Sequence, residues 1–394
     1  MRDLSFDSAI RFAADLIRIP GLSGQEADVA QRVLQEFAAL GYDEHWSDEV
    51  GNVFGLIRGN AAGPTIMLCC HLDAVDVGER DSWEHDPFAG HIDAQYLHGR
   101  GAMDIKGPLA IQTYAAAHFV KERMAGNVLV GHTVSEERGG WGIQHFLTHG
   151  SIKPDVVIIG ESTSGDICIG HRGRTEVVVE VQGLAGHASA PDRARNPISA
   201  LPLILPALQQ FADSLPANDV LGRSTIAPTM LDTLPRSRNV IPDRARVILD
   251  WRILPDITPD SAVSMIRDAL APIALPDGLS LDVRLNRETQ HSYTGLSRDR
   301  QMFTPGFLMQ PDHPVVTTAA DTIARHTGRT PNIRPWTFAT DGGHACGVHG
   351  IPCIGFAPGE ERFAHTNRER LLLADARIAY EAYPALIQDV LHAV

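Results

Sequence analysis

Hydrophobic residues recur every three or four positions in two stretches near the start of the chain, residues 10–17 and 29–37. This spacing places the hydrophobic side chains on one face of a helix. A turn that contains two glycines, at residues 21–24, separates the stretches. The pattern therefore predicts two amphipathic helices at the start of the chain.

Short hydrophobic runs follow, and glycine or proline bounds them. They cover residues 53–57, 65–70, 128–134 and 156–159, and a helical pattern covers residues 108–122. Strands that are hydrophobic on both faces are typical of sheets that helices cover on both sides. Such strands, alternating with helices, predict an α/β fold.

The pattern changes near residue 170. Beyond this point the sequence predicts, in order, a strand at 175–182, a helix at 197–215, a strand at 245–254, a helix at 259–270 and a strand at 279–285. This β-α-β-α-β order is typical of a small, separate α+β unit.

The final part of the chain returns to the first pattern. After a turn-rich connection at residues 296–314, a helix is predicted at 315–325 and a hydrophobic run covers 351–356. We therefore predict an α+β domain of residues 172–290, inserted into a discontinuous α/β domain of residues 1–171 and 291–394.

Length and charge limit the classes of protein. A single hydrophobic core stops growing at about 250–300 residues, so a chain of 394 residues is expected to form two domains. The formal net charge of -14 repels phosphate backbones and anionic lipids, and no basic run offsets it. We expect neither nucleic acid nor a membrane as a partner.

The chain also lacks the patterns of an exported protein. Asp and Arg interrupt the first twenty residues, where a signal peptide needs an unbroken hydrophobic core, and no hydrophobic run approaches the roughly 18 residues of a membrane span. The five cysteines are an odd number without a CxxC pair, which fits reduced thiols better than disulfides or a thiolate zinc site. We therefore expect a cytoplasmic location.

Candidate chemistry begins where the hydrophobic run at residues 65–70 ends, in His71-Leu-Asp73. Because side chains alternate along a strand, His71 and Asp73 point to the same side. A carboxylate beside an imidazole suits metal ligation, since it can fix the tautomer and orientation of the ring. Taken alone, the His-x-Asp pattern is weak evidence.

Asp104 lies in a glycine-rich segment just before the predicted helix at 108–122. An aspartate in this position can cap the helix, which is a frequent role. A carboxylate also has two oxygens, which can bridge two cations roughly 3.5–4 Å apart. The segment by itself leaves both interpretations open.

Glu136 and Glu137 follow the hydrophobic run at residues 128–134. Two adjacent acids commonly form nothing more than a solvated turn. At the end of a hydrophobic strand they can instead divide the work of a metal site, one as a ligand and the other as a free base.

Two more candidates are expected at the same edge of the sheet. Glu161 follows the run at 156–159, and His365 follows a glycine- and proline-rich loop after the run at 351–356. Ligands bind at the carboxyl ends of strands in open α/β sheets, so several strands deliver candidates to one place. Two histidines and three carboxylates suit Zn²⁺, with Co²⁺ or Mn²⁺ as substitutes.

At this point the sequence resembles the co-catalytic zinc aminoacylase and carboxypeptidase family, which includes acetylornithine deacetylase, succinyl-diaminopimelate desuccinylase and carboxypeptidase G. The matching stretches run in the family's order along nearly the whole chain. They are His71-Leu-Asp73, Trp83-Glu-His-Asp-Pro-Phe88, Gly99-Arg-Gly-Ala-Met-Asp104-Ile-Lys-Gly107, Ser135-Glu-Glu-Arg-Gly-Gly140, Gly160-Glu161, Gly186-His187-Ala-Ser, Asn239-Val-Ile-Pro and Ala364-His365.

The resemblance implies a zinc-exopeptidase-like catalytic domain, with helices on both faces of a mixed sheet, and two zinc ions in each subunit. It implies that His71 and Glu161 bind one zinc ion. Glu137 and His365 would bind the second ion, and Asp104 would bridge both.

The resemblance also implies the roles of two neighbouring acids. Glu136 would be the general base that takes a proton from the attacking water, and Asp73 would orient His71. Many relatives have Asp before the pair of glutamates, whereas this chain has Ser135. That position precedes both the base and the ligand, so the difference is expected to alter only local hydrogen bonding.

The middle domain, by resemblance, is a lid that pairs with its twin in a homodimer. His187 would reach the partner's active site and stabilise the tetrahedral oxyanion. The alternative is that His187 is a turn residue without a catalytic role. Asn239 and Arg252 resemble the lid residues that hold a substrate carboxylate, a task that suits arginine because it forms bidentate hydrogen bonds. The alternative for Arg252 is a charge on the surface of a strand.

The function implied is zinc-dependent hydrolysis of the amide bond in a small N-acyl amino acid, as in the acetylornithine deacetylase and desuccinylase branch of amino-acid metabolism. A di- or tripeptidase, or a carboxypeptidase, could use the same dinuclear site on short peptides. A non-catalytic binding protein on this fold is a third alternative, but such a protein does not need the complete set of ligands and base.

Overall fold

The computed structural model describes residues 3–394, in which eight α-helices form. They are α1 (Phe6–Ile17), α2 (Ala27–Leu40), α3 (Lys106–Ala116), α4 (Trp141–His149), α5 (Leu201–Ser214), α6 (Pro259–Leu270), α7 (Pro314–Thr327) and α8 (Leu373–Leu391). Helix α1 begins after Ser5, whose side chain accepts the N–H of Ser8. Helix α2 ends at Leu40 and is followed by Gly41, where φ is 84°, a left-handed conformation that glycine adopts without strain. The two predicted N-terminal helices are therefore present.

Strands make up most of the remaining regular structure. In chain order they are β1 (Glu44–Ser47), β2 (Val53–Ile57), β3 (Ala61–His71), β4 (His91–Ile92), β5 (Tyr96–His98), β6 (Ala125–Thr133), β7 (Val156–Ile159), β8 (Ile167–Cys168), β9 (Gly170–His171), β10 (Gly173–Gln182), β11 (Gly186–His187), β12 (Ala217–Asn218), β13 (Gly222–Arg223), β14 (Thr225–Leu234), β15 (Val240–Ile241), β16 (Arg244–Ile253), β17 (Ser280–Leu285), β18 (Arg287–His291), β19 (Ser297–Gln301), β20 (Phe303–Thr304), β21 (Phe307–Leu308), β22 (Ile333–Arg334), β23 (Cys353–Gly355) and β24 (Arg370–Leu372).

The described residues divide into two compact units. The first consists of the residues up to His171 together with Gln290–Arg298 and Phe307–Val394. The second consists of Arg172–Thr289 and Asp299–Gly306. Each unit has its own cluster of buried hydrophobic side chains.

The first unit is built on an eight-stranded mixed sheet in the order β1-β2-β6-β3-β7-β23-β8-β22. The neighbours β6, β3, β7 and β23 are parallel to one another. Residues Thr65–Cys70 were predicted as a strand from their hydrophobic run, and from Thr65 onwards β3 is buried on both faces. Helix α3 is buried along its whole length and contacts both α1 and α8, so it lies in the interior of the unit.

The second unit is an antiparallel sheet in the order β14-β16-β10-β17, with helices α5 and α6. Buried and partly exposed side chains alternate strictly along β16, so one face of this strand packs in the core and the other does not. Helix α6 begins with a capping box between Thr258 and Ser261, followed by Pro259 in the first turn.

The structure also contains elements that the hydrophobic pattern did not predict. Strand β14 is an edge strand with most of its residues exposed, so it lacks a buried hydrophobic periodicity. Helices α4 and α8 were likewise not predicted; α8 contains Pro384, a residue that normally argues against a helix interior. The helix predicted at 197–215 is divided, since Pro197–Ala200 forms a 3₁₀ turn before α5. Among the described residues, no helix has the length and hydrophobicity needed to cross a membrane.

Candidate metal centre

Neighbouring parallel strands deliver the first candidate residues to one edge of the sheet. His71 is the last residue of β3 and pairs with Thr133, the last residue of β6. Glu161 follows β7, which lies on the other side of β3. Because parallel strands end on the same side, the segments that carry these residues meet at the carboxyl edge, where α/β sheets bind ligands.

Loops bring the remaining donors to this edge. Asp104 lies just before α3, and His365 lies in the connection between β23 and β24. His365 has φ 58° and Ser135 has φ 55°, a left-handed conformation that is uncommon for residues with a side chain. Such backbone conformations persist where the surroundings enforce them, and they cluster at functional sites.

The carboxylate of Asp104 divides the donors into two sets. Its Oδ1 lies 3.1 Å from Nε2 of His71, which in turn lies 3.3 Å from Oε1 of Glu161. Its Oδ2 lies 3.1 Å from Nε2 of His365, which lies 2.9 Å from Oε1 of Glu137. Each set contains one imidazole nitrogen, one oxygen of Asp104 and one glutamate oxygen.

These separations fit two divalent cations. Bonds of about 2.0–2.2 Å to nitrogen and oxygen place the donors of one tetrahedral Zn²⁺ roughly 3.4 Å apart. The observed nitrogen–oxygen distances of 2.9–3.3 Å are close to that value. Among the described residues, the groups whose donor atoms lie close enough to hold a metal are His71 with Glu136 and Glu161, and His71 with Asp104 and Glu137. The donor set therefore suits a dinuclear site.

The orientation of His71 is set through its other ring nitrogen. Its Nδ1 lies 2.8 Å from the main-chain oxygen of Asp73, which can only accept a hydrogen bond. Nδ1 therefore carries the proton, and in the neutral ring Nε2 keeps a lone pair for a metal. The carboxylate of Asp73 is farther from this ring nitrogen, at 3.5 Å.

The carboxylate of Asp73 mainly holds the backbone of the next segment. Its Oδ1 accepts the N–H of Glu136 at 3.1 Å, and its Oδ2 accepts the N–H of Glu137 at 3.2 Å and the hydroxyl of Ser23 at 2.6 Å. Asp73 is fully buried. The carboxylate of Asp73 thus holds the main chain of both glutamates, and the main-chain oxygen of Asp73 orients His71.

Glu136 lies among other acids, in surroundings that favour its protonated form. Burial raises its pKa well above the usual range; His71 opposes this shift, whereas the charges of Asp341 and Glu161 add to it. A carboxyl group that takes and holds a proton readily is suited to act as a general base and then as an acid. Glu136 also lies close enough to His71 and Glu161 to face the same cation.

The protonation of the donors shows how strongly they interact. Burial and the charge of Asp104 raise the pKa of Glu161 to about 7. Hydrogen bonds to Asp104 and Glu137 raise the pKa of His365 to about 10. Burial opposes ionisation of Asp104, but hydrogen bonds from His365 and His71 outweigh it and lower its pKa. Cations bound to these donors would displace the protons, so metal binding is expected to release protons.

Two buried glutamates support the site, and sequence reasoning did not identify either. Glu369 accepts the N–H groups of Met103 and Asp104 at 3.1 and 3.2 Å, and it pairs with Arg100 at 2.5 Å. Glu26 accepts the N–H of Ser135 at 3.2 Å. No local pattern distinguishes these glutamates from surface acids, since each contacts a segment that is distant in sequence.

The segment Thr340–His344 also contributes to this unit. Asp341 accepts the hydroxyl of Thr133 at 2.7 Å, and His344 is buried. Gly140 has φ 77°, and a Cβ atom at this position would lie 2.7 Å from Asp341 Oδ1. Only glycine therefore permits the close approach between this segment and the turn that carries the two glutamates.

The other predicted site residues lie in the second unit. His187 and Asn239 are brought together, because β11 pairs with β15 and the N–H of Ala188 bonds the main-chain oxygen of Asn239 at 3.1 Å. The side chain of Arg252 pairs with Asp250 at 2.8 Å on the surface of β16. The second unit therefore brings His187 and Asn239, both exposed, close together. Arg252 instead forms an ion pair with Asp250.

Comparison with known proteins assigns the chain to a family. The profile described as peptidase family M20/M25/M40 matches residues 67–389. The chain is 32% identical over 365 residues to the uncharacterized protein YgeY of Escherichia coli (strain K12), covering 91% of this chain and 89% of that protein. It is 28% identical over 400 residues to a succinyl-diaminopimelate desuccinylase of Methylorubrum populi, covering 94% of this chain and 95% of that protein. The protein belongs to the M20/M25/M40 peptidase family.

A solved structure has the same fold. The YXEP protein of Bacillus subtilis, described as a dinuclear metal binding peptidase of the M20 family, aligns with a TM-score of 0.72 at 17% identity and with 99% of each chain covered. The α/β fold class and the family resemblance predicted from the sequence are confirmed. The protein is a hydrolytic enzyme of the metallopeptidase and amidohydrolase type.

Proposed function

We propose that the protein hydrolyses the amide bond of a small N-acyl amino acid at a site that holds two zinc ions. The observation that carries this proposal is the position of Asp104, which offers one oxygen to the set of His71 and the other to the set of His365, at 3.1 Å in each case. Five donors arranged in this way fit a pair of ions that share one carboxylate. Co²⁺ or Mn²⁺ would suit the same nitrogen and oxygen donors.

Two divalent ions bound there would polarise the scissile carbonyl and acidify the attacking water. Glu136 then receives the proton of the water, because it is the half-buried carboxylate beside the donors that the two sets leave free. As the carbon–nitrogen bond breaks, Glu136 returns this proton to the departing amine. The products are a carboxylic acid and a free amino acid.

His187 is suited to stabilise the oxyanion. Its Nδ1 lies 3.1 Å from the backbone N–H of Ser189, which can only donate, so Nδ1 is the acceptor. The neutral ring therefore carries its proton on Nε2, where it can be donated to a developing negative charge. We propose that His187 performs this role in the active site of a partner subunit.

Asn239 and Arg252 are proposed to recognise a substrate carboxylate. Asn239 comes just before β15, which pairs with the strand of His187, and its main-chain oxygen accepts the N–H of Ala188 at 3.1 Å. Asp250 accepts hydrogen bonds from Arg252 at 2.8 Å and from Arg174 at 2.7 Å. A substrate carboxylate would therefore compete with Asp250 for the guanidinium of Arg252.

The homodimer is proposed to form through the second unit, which would serve as the lid. Edge strand β14 pairs with β16 on one side, and its side chains Met230 and Leu231 are more than half exposed. Exposed hydrophobic residues on an unpaired strand edge favour association with another strand. A cytoplasmic location is proposed as well, supported by five free cysteines, four of them buried.

A di- or tripeptidase, or a carboxypeptidase, is the alternative function. It is favoured by the solved relative of the same fold that is described as a dinuclear metal binding peptidase. The donors and Glu136 would act in the same way on a peptide bond. The difference lies in whether the site accepts an acyl group or requires a free N-terminal amine.

A hydrolysis panel with zinc-reconstituted protein separates these functions. N-acetyl and N-succinyl amino acids form one arm, unblocked di- and tripeptides form the second, and Glu136→Gln is the matched control for both. We expect release of the amino acid from acylated substrates by the wild-type protein only. Cleavage confined to unblocked peptides would establish the alternative. Equal inactivity of wild type and control on every substrate would support a non-catalytic binding protein.

A further inference from the structure

Three consecutive backbone amides in the turn after β6 donate hydrogen bonds to buried carboxylates. The N–H of Ser135 bonds Oε1 of Glu26 at 3.2 Å. The N–H groups of Glu136 and Glu137 bond the two oxygens of Asp73 at 3.1 and 3.2 Å. The backbone of the turn that carries both the base and a metal donor is therefore held by acids from two other segments.

Glu26 occupies an unusual position for a carboxylate. It is fully buried just before α2, and its second oxygen, Oε2, is also buried and has no hydrogen-bond partner among the described residues. Burying a carboxylate is unfavourable unless its hydrogen bonds compensate. The side chain of Glu26 makes no capping hydrogen bond to the helix that follows it.

Ser135 is the residue that needs this partner. Its φ of 55° lies in the left-handed region, where a residue with a side chain is strained. The same residue directs the chain out of β6 and into Glu136 and Glu137. A buried acceptor that holds its N–H opposes relaxation of the turn toward ordinary backbone angles.

We propose that Glu26 is a positioning residue for the reaction: by binding the amide of Ser135, it holds Glu136 and Glu137 in place. The inference rests on the proposed hydrolase function. Asp73 fixes two of the three amides, and Glu26 fixes the first, strained one. Without Glu26 the turn would relax, and displacement of a reacting group by about 1 Å costs about 100-fold in rate.

The test compares two substitutions of Glu26, which precedes α2, with a matched change within that helix. Glu26→Leu removes the acceptor, whereas Glu26→Gln keeps an oxygen that can accept the N–H of Ser135. Glu36→Leu is the control, because Glu36 is also fully buried on α2 but pairs with Arg32 at 2.6 Å. Activity is measured at saturating zinc and expressed per folded protein from circular dichroism.

For Glu26→Leu we expect kcat to fall about 10- to 100-fold with KM within twofold of wild type, and Glu26→Gln to recover most of the loss. Glu36→Leu should lower the melting temperature and leave kcat unchanged. Equal loss of kcat in Glu26→Leu and Glu36→Leu would overturn the proposal. Failure of Glu26→Gln to improve on Glu26→Leu would overturn it as well.

A second measurement does not depend on turnover. In competition with a zinc chelator, Glu26→Leu should weaken one zinc site about 10-fold, and the visible spectrum of its cobalt form should differ from wild type, because Glu137 is displaced. Unchanged affinity and spectrum would contradict the role of Glu26. If the wild-type protein hydrolyses no substrate in the panel, the proposed function fails, while this measurement still decides whether Glu26 holds the turn.

Discussion

The backbone N–H of Glu136 donates to a carboxylate oxygen of Asp73 at 3.1 Å, although 63 residues separate the two in sequence. The main-chain oxygen of Asp73 also faces Nδ1 of His71 at 2.8 Å. Asp73 therefore links the end of β3 to the turn after β6. Its position makes it a support for two segments that carry candidate metal donors.

Replacing Asp73 tests this support. In Asp73→Asn the side-chain NH₂ cannot accept, so one of the two amide hydrogen bonds is lost. We expect zinc affinity and kcat to fall about 10- to 100-fold, measured by chelator competition and steady-state kinetics. Ser23→Ala, which removes only the hydroxyl donor to Asp73, is the control and should change either value less than threefold. Equal effects of the two variants would contradict the role.

Asp104 is predicted to govern the number of bound metals. Because each of its oxygens faces a different histidine, Asp104→Asn removes the shared charge from both sets. We expect the bound zinc, measured by elemental analysis, to fall from two ions to one or none, with loss of activity. The control is Asp93→Asn, which removes a carboxylate that pairs with His98 instead. Two tightly bound ions in Asp104→Asn would argue against a bridging carboxylate.

The adjacent glutamates are predicted to respond differently to the same substitution. Glu136→Gln should abolish turnover and keep the zinc content near normal, because the base is lost while the donors remain. Glu137→Gln should lower the zinc content, since Glu137 lies 2.9 Å from Nε2 of His365 in one donor set. Elemental analysis and a hydrolysis assay measure both. Turnover at the wild-type rate by Glu136→Gln would remove it as the base.

His187 is predicted to act on the reaction without holding metal. His187→Ala should lower kcat about 100- to 1,000-fold, as expected when an oxyanion donor is removed, with normal zinc content. Mixing it with metal-poor Asp104→Asn should restore part of the activity, because a hybrid dimer would combine an intact metal site with an intact His187. Absence of recovery, where subunits are shown to exchange, would count against a shared site.

His132 is predicted to make the fold sensitive to acid. Burial, and then the charge of His71, lower the pKa of His132 to about 3, and its Nδ1 is buried without a partner among the described residues. In the unfolded chain the pKa is about 6.5, so the unfolded state binds more protons between these values. The free energy of unfolding therefore falls as the pH drops below about 6.5.

Urea unfolding of chelator-treated protein at about pH 7.5 and pH 5 measures this effect. In His132→Gln the difference in unfolding free energy between the two conditions should shrink, because the titrating group is gone. The same difference measured for the wild-type protein is the reference, because the other titrating groups are the same in both proteins. An unchanged difference would show that His132 does not carry the acid sensitivity.

Much of the first unit could be predicted from local pattern. Residues 53–57 and 156–159 form strands with those bounds, because a short buried strand is hydrophobic throughout and its ends are marked by polar or turn residues. Strand β14 could not be predicted in this way, since most of its side chains are exposed. Its conformation depends on pairing with β16, a contact that no local pattern reports.

The candidate donors were recognisable in the sequence because each follows a strand or a glycine-rich loop, and chain direction alone places parallel strand ends at one edge. The sequence thus determined which residues can meet there, His71 and Glu161 among them. Only the tertiary structure decided that the two oxygens of Asp104 face different histidines, and that the buried Glu26 holds Ser135. Those relationships depend on side-chain directions and on the packing of separate segments, 33 residues apart for His71 and Asp104 and 109 for Glu26 and Ser135, which local periodicity does not encode.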